Sequence, residues 1–230
     1  GFDFGSNEPS TFECSADQLG FSPCQSPVAL DSLAEGSHSF EVRATDLAGN
    51  TGLTASFLWR IDLTAPTLTL GQVTPPAGVT NAMMVAAEFS ANEPSTYSCS
   101  FDGGAAADCS SPFTSAVQTE GAHSLTVSAR DTAGNSSAPV QISWTMDFTP
   151  PTLAWGAFIP SPSTYLSSAS LSAEVISSEI DSLSCKLNDL DLGQNASPVT
   201  LSSLAEGPYT LAVTGTDLAG NISPAITHYF

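Results

Sequence analysis

The feature that most constrains this chain is an internal repeat, because three separate motifs recur along it in one register. The copies are offset by 85 residues and then, where a third copy exists, by 86. The motifs are Asn-Glu-Pro-Ser-Thr-aromatic at 7–12 and 92–97, Glu-Gly at 35–36, 120–121 and 206–207, and Asp-x-Ala-Gly-Asn at 46–50, 131–135 and 217–221. Self-similarity at a fixed period is the signature of repeated structural units. The sequence therefore predicts three domains, at residues 1–63, 64–148 and 149–230.

Between these motifs, apolar and polar residues alternate along short segments. After the first Glu-Gly pair, His38, Phe40 and Val42 fall on one face, while the other face carries Ser, Glu and Arg. A period of two residues is typical of an antiparallel strand with one buried face, and no long segment has a helical period. Short strands punctuated by turns rich in Gly, Pro and Ser are typical of a sandwich. The predicted fold class is all-β, with three tandem immunoglobulin-like β-sandwiches.

The first domain is predicted to be incomplete. In the repeat register, Phe2 and Phe4 align with Ala87 and Phe89 in the second strand of the next repeat, so the first repeat lacks its N-terminal strand. An unpaired sheet edge favours association with another strand. Two interpretations stay open. The chain is a segment of a longer array, or it is a filament subunit whose open edge takes a strand from an identical chain.

The five cysteines follow the repeat register. Two pairs have the same ten-residue spacing and predict local disulfides, namely Cys14 with Cys24 and Cys99 with Cys109. Cys185 aligns with the first member of each pair, but Asn195 stands where its partner would be. Cys185 is therefore predicted to be an unpaired thiol, either buried and inert or bridged to another chain. A zinc site would need four clustered ligands, which this sequence does not offer. Persistent disulfides indicate an extracellular or cell-surface location.

The chain is strongly acidic, with 23 acidic and 4 basic residues and a formal net charge of −19. So few cations cannot form a surface that follows phosphates, and we expect no binding to nucleic acid. No segment approaches the roughly 20 apolar residues of a membrane helix, so we expect no membrane insertion. Three explanations of the acidity stay open: solubility of a β-rich array, binding of divalent cations, and adaptation to a saline habitat.

The sequence contains no recognisable catalytic motif. It has no Gly-x-Ser-x-Gly elbow, no His-Glu-x-x-His and no phosphate-binding loop. His38 and His123 occupy equivalent strand positions, and Tyr209 stands there in the third repeat, which favours a packing and hydrogen-bonding role. We therefore expect that the chain is not an enzyme and that it requires no cofactor.

Taken in order, these motifs resemble the bacterial Ig-like repeats of large secreted and surface proteins, including giant adhesins. The resemblance covers essentially the whole chain and rests on Asn-Glu-Pro-Ser-Thr-Phe-x-Cys, Cys-x-Ser-Pro, Leu-x-Glu-Gly-x-His, Asp-x-Ala-Gly-Asn, Trp and Asp-x-Thr-x-Pro. The third repeat departs from it at 178–180, Asn195 and Tyr209. The resemblance implies a seven-strand sandwich that serves as a stalk, a spacer or an adhesive module.

The same resemblance implies a metal. In some adhesin relatives, Asp residues near the linkers bind Ca²⁺ and stiffen the rod. The matching positions here are Asp46, Asp62, Asp131, Asp147 and Asp217. The alternative role of these residues is to accept backbone hydrogen bonds within turns. Neither linker sequence contains the group of several carboxylates that a tight oxygen cage requires, so both interpretations stay open.

Two classes of function fit the sequence. The first is a non-enzymatic extracellular stalk or fibre element of a bacterial surface or secreted protein, whose partners are neighbouring repeats of the same or an identical chain. The second is a module that binds a glycan or protein, such as a host or matrix ligand, beside a secreted enzyme or at an adhesin tip. A glycan binder predicts two or three exposed Trp or Tyr on one face. Trp59 and Trp144 fall on the core face of their strands, which favours the stalk.

Overall fold

The structure is a computed structural model that describes residues 1–161, 166 and 168–230. All regular secondary structure among these residues is β, which confirms the predicted all-β fold class. None of them forms a helix long and apolar enough to cross a membrane. The chain forms two compact units. The first comprises Gly1–Thr67 with Glu93–Ser95 and Arg130–Ser137, and the second comprises Leu68–Asn92, Thr96–Ala129 and Ala138–Phe230.

The first unit contains an antiparallel sheet in the order β2-β1-β3-β4. Its strands are β1 (Ser10–Ala16), β2 (Ser22–Cys24), β3 (Gly36–Asp46) and β4 (Ala55–Ile61). A bridge between Phe2 and Val28 pairs the start of the chain with a later loop. Phe2 also stacks on Phe40 of β3, with ring centroids 4.2 Å apart. Aromatic rings therefore supply much of the core of this unit.

The core face of β4 is only partly covered. Phe57 is 57% exposed, whereas Ile142, which aligns with it in the next repeat, is 6% exposed. Phe2 contacts both Phe57, at 5.8 Å between ring centroids, and Trp59, at 5.3 Å. The alternation along β4 predicts which way these side chains point. It does not predict how deeply they are buried, because burial depends on the opposing layer.

Most of the next sandwich belongs to the second unit, while Ser95, Arg130 and Asp131 of its strands belong to the first. Its two sheets have the orders β10-β7-β5 and β6-β12-β11-β8-β9. Its strands are β5 (Leu68–Thr74), β6 (Gly78–Thr80), β7 (Ala86–Ala91), β8 (Ser95–Phe101), β9 (Ala107–Cys109), β10 (Phe113–Thr114), β11 (Gly121–Asp131) and β12 (Val140–Met146). Strand β6 runs parallel to β12, and the other pairs that we describe are antiparallel. Leu125, Val127, Trp144 and Met146 lie between the two sheets and are almost fully buried. The strict alternation along β11 and β12 thus builds a closed core.

A further sandwich follows in the second unit, with sheets in the orders β13-β14-β17 and β16-β15-β18-β19. Its strands are β13 (Leu153–Ile159), β14 (Leu171–Ser177), β15 (Ser182–Leu187), β16 (Leu190–Asp191), β17 (Val199–Leu201), β18 (Thr210–Thr216) and β19 (Ile226–Tyr229). Its core includes Leu183, Leu211 and Val213, with Trp155 and Phe158 packed against them. The three domain boundaries given above stay predictions.

Two disulfides join neighbouring strands. Cys14 of β1 bonds to Cys24 of β2, and Cys99 of β8 bonds to Cys109 of β9, each with 5.8 Å between the Cα atoms. Cys185 of β15 is a buried free thiol, and this burial raises its pKa. A raised pKa favours the protonated thiol over the reactive thiolate.

Candidate functional site

The motif Asp-x-Ala-Gly-Asn forms the hairpin between the last two strands of each repeat. In the first copy, one carboxylate oxygen of Asp46 accepts hydrogen bonds from the backbone N–H groups of Ala48 and Asn50, both at 2.8 Å. The other oxygen accepts one from the Asn50 side-chain amide at 2.8 Å. Gly49 has a φ of 90°, a left-handed conformation that favours glycine. The hydrogen bonds from Asn50 lower the pKa of Asp46, so its carboxylate is ionised at neutral pH.

In the later copies, the Asn of the motif also reaches the preceding linker. Within the first unit, Nδ2 of Asn135 donates to the backbone oxygen of Asp62 at 3.1 Å. Within the second unit, Nδ2 of Asn221 donates to the backbone oxygen of Asp147 at 2.8 Å. We call this hydrogen bond, from the hairpin Asn to the linker Asp, the linker clamp. It ties each linker to the hairpin of the repeat that follows it.

A second set of hydrogen bonds holds the linker from the other side. The carboxylate of Asp62 accepts the Thr64 N–H at 3.2 Å, and the Thr64 hydroxyl donates to Glu35 at 2.7 Å. The second linker repeats this pattern, with Thr149 donating its hydroxyl to Glu120 at 2.9 Å. Glu35 and Glu120 are the acids of the Glu-Gly motifs. The repeated motifs of the sequence therefore converge on the linkers.

We expect Asn135→Ala to loosen the first linker, because it removes the clamp to Asp62. One lost hydrogen bond is worth about 1 kcal/mol, or roughly a five-fold rise in hydrogen exchange at the linker amides. Hydrogen-exchange mass spectrometry of residues 62–66 measures this. Asn50→Ala is the matched control, because the Asn50 amide bonds to Asp46 of its own hairpin. Equal exchange at 62–66 in both variants would contradict the clamp.

Three carboxylates meet at the first linker. One oxygen from each of Asp62, Glu93 and Asp131 lies within 4.8 Å of the others, and Asp131 is buried while the other two are half-buried. We call this group the acidic cluster. Of the residues that the structure describes, no other three acids, histidines or cysteines come together in this way.

The acidic cluster contains two of the five Asp residues that the resemblance implies as ligands. Asp46, Asp147 and Asp217 lie elsewhere, where Asp46 and Asp217 hold their hairpins and Asp147 accepts the N–H of Thr149. Glu93 was not among the predicted ligands. Glu93 belongs to the repeated Asn-Glu-Pro motif, so the sequence does single it out. The spacing of the motifs, however, does not show that Glu93 lies next to a linker Asp.

The acidic cluster carries negative charge at neutral pH. Burial alone would raise the pKa of Asp131, but the hydrogen bonds from Asn135 and from the backbone of 133–135 outweigh it and lower the pKa. Like charges this close repel one another unless a cation or a donor lies between them. Carboxylate oxygens are the ligands that Ca²⁺ and Mg²⁺ prefer. The acidic cluster thus offers carboxylate oxygens only.

His38 lies at a corner of the first unit between two acceptors. Its Nδ1 contacts the Asp17 carboxylate at 2.9 Å and its Nε2 contacts the Ala34 carbonyl oxygen at 2.8 Å. Because a carboxylate and a carbonyl accept hydrogen bonds, this arrangement favours a ring that carries a proton on both nitrogens. The hydrogen bonds to Ala34 and to Asp17 raise the pKa of His38 accordingly.

The same corner recurs in the second unit. His123 donates to Asp102 at 2.7 Å and to the Thr119 carbonyl at 2.9 Å, and these two hydrogen bonds raise its pKa. A general base needs a nitrogen with a free lone pair, and neither corner histidine has one in this arrangement. Both residues fix a turn against a loop.

An open groove in the second unit is lined by three aromatic residues, Tyr209, Tyr229 and Phe230. Tyr209 and Phe230 stack with ring centroids 5.5 Å apart, and the Tyr209 hydroxyl bonds to the backbone of Ala205. Tyr229 is 68% exposed. Among the described residues that line the groove, Tyr229 is thus the one largely exposed aromatic ring, whereas a glycan-binding face predicts two or three.

No protein-family model and no curated protein sequence matches this chain. Among solved structures, it is similar to the fibronectin(III)-like modules of Clostridium thermocellum CbhA, with 14% identity over 71% of this chain and 92% of that one and a TM-score of 0.45. It is also similar to a 1.5-MDa bacterial ice-binding adhesin, with 17% identity, 98% and 86% coverage and a TM-score of 0.45. The central fibronectin-III array of RIM-binding protein matches with 15% identity, 72% and 67% coverage and a TM-score of 0.26. Similarities this weak carry no functional conclusion, and the fold assignment rests on the strand pairing described above.

Proposed function

We propose that this chain is a non-enzymatic structural segment of an extracellular protein, a stalk or fibre element of a bacterial surface or secreted protein. The linker clamp is the observation that carries the proposal. The same side chain of the same motif bonds to the same linker atom at both linkers, at 3.1 Å and 2.8 Å. The hydrogen bond that attaches a linker to the following repeat is therefore itself repeated along the chain.

The disulfides and the charge support an extracellular setting. Disulfides such as Cys14–Cys24 and Cys99–Cys109 persist in oxidising compartments and are rare in the cytosol. A net charge of −19 keeps a chain of tandem β-sandwiches soluble, and it repels other acidic macromolecules. A spacer benefits from both properties, because it must stay folded and unattached along its length.

Single-molecule pulling tests the structural role. We expect discrete unfolding events, each separated from the next by a fixed chain length. Each disulfide closes a sequence separation of 10 residues, so reduction should lengthen the corresponding event by roughly 35 Å. Saturable binding of the isolated chain to a glycan array or to matrix proteins would instead favour the ligand-binding module. Turnover of a substrate would overturn the proposal.

We also propose that the acidic cluster binds Ca²⁺ and thereby stiffens the first linker. Ca²⁺ binds oxygen at about 2.3–2.6 Å, so oxygens on opposite sides of the ion lie roughly 4.6–5.2 Å apart. The oxygens of Asp62, Glu93 and Asp131 lie within 4.8 Å of one another, so none is farther from another than the ligands of a single ion can be. Three carboxylates leave positions for water, which favours a weak site over a tight one.

Glu93→Gln is expected to weaken Ca²⁺ binding about ten-fold or more, because it removes one of three anionic ligands. Isothermal titration with CaCl₂ measures the affinity, and a Ca²⁺-dependent rise in Tm of the wild type accompanies it. Glu179→Gln is the matched control, since Glu179 aligns with Glu93 but does not belong to the acidic cluster. If the Tm of the wild type does not change with Ca²⁺, the proposed Ca²⁺ site is wrong, while the proposed structural role is unaffected.

A further inference from the structure

His228 is a half-buried histidine whose ring lies among aromatic side chains. It lies in β19 with its Nε2 atom buried, and no hydrogen-bond partner for that atom exists among the described residues. Its ring contacts Phe158 at 4.4 Å, Phe230 at 5.8 Å and Trp155 at 6.2 Å between centroids. In an imidazolium both ring nitrogens carry an N–H group, so the buried Nε2 would hold a donor without an acceptor. The folded chain therefore favours the neutral ring.

No compensating charge faces His228 from the strands that pack around it. Strands β13 and β18 contain no charged residue. The acid of the adjoining strand β14, Glu174, accepts a hydrogen bond from the Ala157 N–H at 3.0 Å. Tyr209 and Tyr229 are the other titratable side chains nearby, and the Tyr209 hydroxyl bonds to the backbone of Ala205. Burial accordingly lowers the pKa of His228.

His38 and His123, the corner histidines, lie in surroundings that favour the charged ring instead of the neutral one. His38 faces Asp17 and His123 faces Asp102, with a carbonyl oxygen at the other nitrogen of each ring. Glu35 and Glu120, which precede these strands, are engaged with linker threonines. The folded chain thus favours the charged ring at both corners.

The third repeat does not share this corner. Tyr209 stands in place of the histidine and bonds through its hydroxyl to Ala205. Asn188 stands in place of the aspartate, and its side-chain oxygen accepts the Thr210 N–H at 2.8 Å. The aligned corner of the third repeat thus has neither the histidine nor the carboxylate of the other two. His228 is therefore the histidine to which the sandwich of β13–β19 responds.

We propose that the chain contains a built-in pH response in which acid loosens the β13–β19 sandwich at His228 while it strengthens the two histidine corners. For His228 the stabilising neutral form is complete above about pH 6.5 and is lost as the pH falls. For His38 and His123 the stabilising charged form is complete below about pH 6.5 and is lost as the pH rises above that value. Acidification therefore changes which part of the chain opens first.

Hydrogen-exchange mass spectrometry at about pH 7.5 and about pH 5.0, corrected for intrinsic exchange rates, tests the proposal. We expect the protection of β18 and β19 to fall by about ten-fold in acid, and that of β3 and β11 to hold or rise. In His228→Phe, the acid-induced loss in β18 and β19 should disappear, while the response of β11 remains. Phe is a matched choice because Phe57 occupies the aligned position in the first repeat.

NMR titration of the wild-type histidine rings is the companion measurement and does not depend on the variant folding. We expect the midpoint of His228 to lie below about 6.5 and those of His38 and His123 to lie above it. A His228 midpoint at or above that value would overturn the proposal. So would an acid-induced loss of protection in β18 and β19 that survives in a folded His228→Phe variant.

Discussion

Asn195→Cys is expected to create a third disulfide, to Cys185, and to stabilise the β13–β19 sandwich by about 3 kcal/mol. The gain arises because a cross-link over a short loop restricts the unfolded chain more than the folded one. The separation of 185 and 195 equals that of Cys99 and Cys109.

The backbone at Asn195 is already placed for the bond. The N–H of Leu183 donates to the carbonyl oxygen of Asn195 at 3.3 Å. In the preceding repeat, Tyr97 pairs with Cys109 at the aligned positions. Residue 195 therefore lies beside β15 as Cys109 lies beside β8. The new thiol would need little backbone movement to reach Cys185.

Thiol titration under denaturing conditions and thermal unfolding together measure the result. The wild type should titrate as one free thiol, from Cys185, and Asn195→Cys as none. Asn195→Ala is the control, because it removes the same amide without adding a thiol. If Asn195→Cys folds but shows two free thiols when it is then denatured and titrated, the alignment of the third repeat with the other two is wrong.

The second large expected effect is a loss of stability on truncating Ile142, compared with truncation of the aligned Phe57 in the first repeat. Ile142→Ala is expected to lower the free energy of unfolding of the second unit by about 2–5 kcal/mol, because it leaves a cavity in a closed core. Phe57→Ala, at the aligned position of β4, removes a larger side chain that is 57% exposed. We expect it to cost the first unit only about 1 kcal/mol.

Denaturant unfolding of both variants, followed by tryptophan fluorescence and by circular dichroism, separates the two costs. Met146→Leu is a useful control in the second unit, because it changes shape with little change in volume and should cost less than about 1.5 kcal/mol. A loss from Phe57→Ala as large as that from Ile142→Ala would mean that Phe57 is buried in solution by something that covers β4.

The sequence was sufficient to predict the strands and the fold class. The alternation of His123, Leu125 and Val127 in β11 reports burial on one face directly, since side chains of a strand alternate between faces. The period of the motifs aligned the repeats and paired the cysteines. These are local or periodic properties, and a sequence displays them without knowledge of the tertiary fold.

The candidate site was only partly predictable. Asp62 and Asp131 were among the candidate ligands that the resemblance implies, but Glu93 was not, and nothing in the spacing indicates that residues so far apart lie together. The partnerless nitrogen of His228 was equally hidden, because the sequence places it simply where Ile142 stands. Whether a polar atom finds a partner is decided by neighbours from other strands, which a linear pattern does not list.

The linker clamp also bears on how such a chain can change its length during evolution. Each half of the attachment belongs to a different repeat, since the linker Asp lies at the end of one copy and the Asp-x-Ala-Gly-Asn hairpin belongs to the next. A gene duplication of one whole period therefore carries both halves and forms a new junction without any further mutation. An insertion of one residue between Asp62 and the next strand would shift the carbonyl away from Asn135 and break the match. Length is free to vary by whole periods, while the linker itself is held to a fixed number of residues.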